Sequence, residues 1–64
     1  MEDYKKRVIK EKEELDERAT DLSNFIGLSD AFDLIDPDEQ ERLKVQNDIM
    51  WQYSEILGKR INHF

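Results

Sequence analysis

Sixty-four residues, 38% of them apolar and 41% charged, bound this chain to one small domain, near the size where a single core is only marginally stable. It has no cysteine and one histidine, which excludes disulfide staples, thiolate metal sites and a multi-histidine metal site within one copy. The net charge of −6 argues against generic nucleic-acid binding, which rests on neutralising phosphates.

The first predicted element is a long helix over about residues 3–26. Tyr4, Val8, Leu15, Ala19, Leu22 and Ile26 recur at three- and four-residue steps along one stripe. Glu11 and Arg18 fall on or near that stripe, where a plain two-helix core would carry leucine. Two readings stay open for them. Their stems can pack while their heads reach water, or they can pair with Gln46, Asn47 or Arg60 and fix the register. Lys12–Asp16 and Glu14–Arg18 are helix-spaced pairs of opposite charge. Gly27 sits where a C′ glycine would stop the helix.

Ser29 then reads as a fresh N-cap for a short capping helix over about 29–35. Its Phe32, Leu34 and Ile35, joined by Phe25, are expected to fold over the closed end of a hairpin. Five acids crowd this end: Asp30, Asp33, Asp36, Asp38 and Glu39. They lack the residue order of a calcium-binding loop and read as caps and solvated charge.

The second long helix is predicted over about 37–61. Asp36 is placed to cap it, Pro37 fits its first position, and Glu39 can reach back as in a capping box. This helix carries two apolar faces. Leu43, Met50, Leu57 and Ile61 form one, while Val45, Ile49 and Ile56 lie roughly opposite, with Tyr53 between. Trp51 lies off both, and an exposed tryptophan on a small protein marks an interface. Gly58 weakens the last turn, and Asn62, His63 and Phe64 are expected to fray.

A connection of about ten residues between two helices of similar length favours an antiparallel hairpin. Position i of the first helix should then lie near 63 − i of the second, within a turn. One face of the second helix packs inside the hairpin, and the other needs a second copy. The expected fold is therefore all-α: residues 1–64 as a single helical-hairpin domain, assembled into a homo-oligomeric bundle through Val45, Ile49, Trp51 and Ile56.

The charge is segregated along that hairpin. Residues 13–48 hold twelve acids and three bases, whereas the two ends hold four acids and seven bases. The folded chain should carry a basic pole at its open end, with Lys5, Lys6, Arg7, Lys10, Lys12, Lys59 and Arg60 in it. Arginine offers a planar fork for phosphate, and tyrosine or tryptophan offers a face on which a base can stack. A candidate ligand site follows: Tyr4, Arg7, Lys10, Trp51, Tyr53, Lys59 and Arg60, with Lys5 and His63 nearby. The same residues also have a plain structural reading. Tyr4 and Tyr53 lie on or beside packing stripes, and Lys59 and Arg60 suit a helix C-terminus without any ligand.

No catalytic constellation is present. His63 has no cysteine partner, Ser23, Ser29 and Ser54 have no evident base, and two glycines cannot build a phosphate-cradling loop. The expectation is a non-enzymatic protein without cofactor or metal. No apolar run approaches the roughly 18 residues of a membrane span, and no signal-peptide pattern opens the chain, so a cytoplasmic location is expected.

Four segments carry a resemblance: Y-x-x-R-V at Tyr4–Val8, E-K-x-E-L at Glu11–Leu15, L-S-N-F-I at Leu22–Ile26 and M-x-x-Y-S-x-I-L-x-x-R-I at Met50–Ile61. Through them the chain resembles a type of short phage and prophage protein related by name to a gene of a crAss-like phage. In its economy it is also similar to the helical-hairpin sponge proteins with which phages sequester cyclic nucleotide signals of CBASS and Thoeris immunity. That similarity implies a compact cytoplasmic oligomer holding a cyclic nucleotide or ADP-ribose-type signal between protomers. On this reading Arg7, Lys10 and Arg60 would meet phosphates, and Tyr4, Trp51 or Tyr53 would stack. The competing expectation is an oligomeric interaction protein that docks on a host or phage protein through Trp51 and its acidic surface. A DNA binder using the basic pole is a third.

Overall fold

The computed structural model describes residues 2–64. Its described residues form three helices: α1 (Glu2–Leu28), α2 (Asp30–Asp33) and α3 (Pro37–Asn62). The long helices pack side by side as an antiparallel hairpin with α2 across its closed end. The start of each later helix follows the expected capping chemistry. Ser29 Oγ accepts from the Ala31 amide at 3.2 Å, and Asp36 Oδ2 accepts from the Asp38 amide at 3.1 Å. Glu39 does not close a capping box, because its carboxylate takes the Arg42 guanidinium at 2.7 Å instead.

Gly27 does not end α1. No described residue has a positive φ, and the Ser29 amide still bonds back to the Phe25 carbonyl at 3.3 Å. The helix runs straight into the residue that caps the next one, so no left-handed turn is needed. A Cβ on Gly27 would meet nothing within 4 Å. Gly27→Ala is therefore expected to stabilise the protein by about 0.5–1 kcal/mol, by removing backbone freedom from the unfolded chain. Thermal melting checks this, with an upward shift of several degrees expected.

The longer α1 also moves the turn. Lys12 and Asp16 meet Ser54, Ser23 meets Asn47, and Tyr4 meets Phe64, so position i lies level with about 68 − i. That exceeds the expected register by about five residues, or more than one helical turn. Tyr4 consequently faces the chain's end rather than Lys59 and Arg60, and Arg7 lies level with Ile61 rather than Ile56.

The core is thin. Val8, Ala19, Phe32 and Leu57 are buried, Leu57 completely. Leu15, Leu22, Ile26, Leu43, Met50 and Ile61 are half-buried along the same seam, which supports the predicted inner faces. Phe25 meets Phe32 edge-on at 5.9 Å, and Ile35 is half-buried. Leu34 departs from expectation. It is 88% exposed, because α2 ends at Asp33 and turns Leu34 outward, and Leu28 is 82% exposed.

Polar groups pin the seam at three levels. Gln40 Nε2 donates to the carbonyls of Phe32 and Ile35 at 2.9 and 3.0 Å, tying α2 to α3. Asn47 donates to the Ala19 carbonyl at 3.0 Å and accepts from Ser23 Oγ at 2.8 Å. Lys12 bridges Asp16 at 2.7 Å and buried Ser54 at 3.2 Å, and Ser54 in turn donates to Asp16. Gly58 makes room for this: a Cβ there would stand 3.3 Å from the Lys12 stem.

Within that third cluster the Asp16 carboxyl is perturbed. Hydrogen bonds from Lys12 and then Ser54 hold the Asp16 carboxyl below its ordinary value of 3.8, against an opposing contribution from partial burial. A depressed native pKa stabilises the fold above the unfolded value, and the gain is lost as pH falls through the native value. The stability gap between wild type and Asp16→Asn should therefore be constant above about pH 5 and shrink as pH falls below about 4. Urea melts across pH measure it. A gap independent of pH down to 2 would contradict the assignment.

Candidate functional site

The shape leaves much surface uncovered. The molecule measures 47 × 15 × 13 Å, with a radius of gyration of 14.5 Å, where a compact domain of this length has about 11 Å. Its accessible surface of 5003 Å² exceeds the roughly 4,300 Å² expected at this mass. The excess lies partly on the outer face of α3, where Val45, Ile49 and Ile56 are 46%, 57% and 50% exposed. This is the second apolar face read from the sequence. Among the described residues no cavity is enclosed within one chain.

Two flanks run along the groove between α1 and α3, and they differ in chemistry. One holds the polar clusters of Lys12, Asp16, Ser23, Asn47 and Ser54. Trp51 belongs to it, with its indole N–H donating to Ser23 Oγ at 3.1 Å. At about 100° per residue, Tyr53 lies on the opposite flank, roughly 160° around α3 from Trp51. The Tyr53 hydroxyl donates to Glu11 there.

The expected site residues divide accordingly. Tyr4, Arg7, Tyr53 and Arg60 share the Tyr53 flank, within about 16 Å along the axis toward the open end. Lys10 and Lys59 point to the outer backs of their helices. Trp51 stands mid-rod on the other flank and does not join them. Its helical position decides this: it stands two positions before Tyr53, enough to turn it away.

Phe64, expected to fray, packs at the open end instead. It meets Tyr4 edge-on at 5.5 Å, and Lys5 Nζ lies 5.8 Å from its ring centre. The His63 amide bonds the Arg60 carbonyl at 3.1 Å, and its imidazole meets the Lys59 carbonyl at 3.0 Å, so the helix end is closed. The sequence signal was the tyrosine four residues from one end and the phenylalanine at the other.

Glu11 takes neither reading given to it from the sequence, since its partner is Tyr53. Arg18 is exposed. Among the described residues the ion pairs are Lys12–Asp16 and Arg42–Glu39, so the spacing of Glu14 and Arg18 produces no bridge. Among the described residues, the basic groups Lys5, Arg7, Lys10, Lys59 and Arg60 join no ion pair. Described residues offer no His, Asp and Glu cluster able to hold a metal ion, and no described helix is long and apolar enough to cross a membrane.

Fold and surface thus define a small all-helical hairpin with an outward apolar strip beside a cationic, aromatic flank. The chain belongs to the Sequestin family, whose model matches residues 2–63. No curated protein and no solved structure matches it.

Proposed function

We propose that this protein is a non-enzymatic sponge, encoded by a phage, that binds and sequesters a cyclic nucleotide or ADP-ribose-type immune signal in the host cytoplasm. It works as a homo-oligomer, with the ligand held between copies. The family name supports a sequestering role. The observation that carries the ligand class is the Tyr4, Arg7, Tyr53, Arg60 flank, which combines guanidinium forks with aromatic faces and has no ion-pairing partner among the described residues. One rod encloses no cavity among its described residues, so a second copy supplies the other wall.

Arg7 and Arg60 take the phosphates, with Lys10 and Lys59 adding longer-range attraction from the backs of the helices. Tyr4, Tyr53 and Phe64 provide faces for a base. Glu11, tied to Tyr53, keeps phosphate toward the open end and can accept from a sugar hydroxyl.

Melting curves with a panel of cyclic dinucleotides and cyclic ADP-ribose isomers test this. A ligand at 100 times its Kd stabilises the folded state by about 2.7 kcal/mol, a shift of many degrees for so small a domain. Arg7→Ala with Arg60→Ala should abolish the shift while leaving the ligand-free melting temperature nearly unchanged, because both side chains are exposed and form no ion pair among the described residues. No shift across the panel would overturn the ligand class.

A further inference from the structure

We infer that the second copy packs antiparallel to the first, along the outer face of α3, about a two-fold axis near the middle of the Val45–Ile56 strip. The inference rests on the homo-oligomer part of the proposed function and makes it specific. It does not depend on the ligand.

Three observations lead to it. The first is the apolar strip itself: Val45, Ile49 and Ile56 are each about half exposed, and they repeat at the four- and seven-residue steps of a helix-pairing seam. The second is length. A rod 47 Å long, paired along a helix about 10 Å wide, buries on the order of 500 Å² per copy, near the threshold for a specific dimer.

The third is charge, and it decides orientation. The closed-end two thirds of the rod, residues 13–48, carries twelve acids against three bases, while the open end carries seven bases against four acids. Parallel pairing would set the acidic segments of both copies side by side. Antiparallel pairing sets each basic pole against the partner's acidic segment, and like charges brought together cost more than complementary ones. A symmetric contact of this kind is closed, which stops the strip from propagating into a fibre.

The arrangement also completes the cationic flank. With the axis midway between residues 45 and 56, the partner's Asp48 comes level with Tyr53, and the partner's Glu41 comes level with Arg60. The strip and the flank are neighbours on α3, so the second copy forms a wall beside the tyrosine.

The chain has no cysteine, so a single spin label can be placed cleanly at exposed Asn62 through Asn62→Cys. Double electron–electron resonance then reads the separation between the two labels. Antiparallel pairing puts the two positions about 35 Å apart along the axis, and a single long-distance population is expected. A population below about 20 Å would mean parallel pairing and overturn the orientation. Absence of any dipolar coupling, with light scattering giving a monomer, would overturn the pairing itself. A ligand-induced melting shift would survive the first of these failures, so the two proposals fail separately.

Discussion

Leu57→Ala is expected to abolish cooperative folding. Leu57 is the largest fully buried side chain, seated between Val8 and Ala19 levels of α1 in a core of four buried apolar residues. Truncating a buried leucine costs about 2–5 kcal/mol once the cavity is included. A single core of this size supplies only about 3–5 kcal/mol. Circular dichroism should show most helical signal lost at room temperature and no sigmoidal melt. Leu57→Met conserves volume and should cost under about 1.5 kcal/mol. A cooperative Leu57→Ala melt within a few degrees of wild type would mean that the seam between α1 and α3 is not what holds the fold.

The second large effect concerns assembly rather than folding. Ile49 lies in the outer strip at 57% exposure, so Ile49→Asp takes little from the hairpin itself. It places a charge in the middle of the proposed seam, where an unpaired buried charge is strongly unfavourable. Light scattering should report the 7.7 kDa monomer for Ile49→Asp and a multiple of it for wild type. Helical signal in the cold should persist, although the melt should become less steep and move down. Equal masses for the two proteins would place any interface elsewhere.

The helices were legible in the sequence because periodicity and capping agree locally. Asp36-Pro37 and Ser29 are short-range signals, and the structure uses both. The inner stripes were legible for the same reason: Val8, Ala19 and Leu57 sit at spacings that only one face of a helix can satisfy. The register was not. It depends on whether Gly27 halts α1, and a glycine followed directly by a serine cap can continue a helix as readily as stop it. That one ambiguity shifts every cross-helix neighbour by more than a turn. It is why Tyr4 was set against Arg60 when it meets Phe64.

Which residues share a flank was also hidden, for a related reason. The basic pole is a matter of chain position and could be read from charge alone. Trp51 and Tyr53 are near neighbours in sequence, yet they stand on opposite flanks, and only the pairing of the helices says which flank carries the arginines. The buried Ser54, which anchors Lys12 and Asp16, gave no sequence signal beyond its place between the inner-face residues Met50 and Leu57.

The most direct test of the sponge reading is native mass spectrometry of the protein mixed with equimolar cyclic dinucleotides and cyclic ADP-ribose isomers. An oligomer carrying an adduct of one nucleotide's mass is expected, with the adduct released on denaturation and missing from the Arg7→Ala, Arg60→Ala protein. A monomer, or an oligomer that takes up none of these nucleotides, would contradict it.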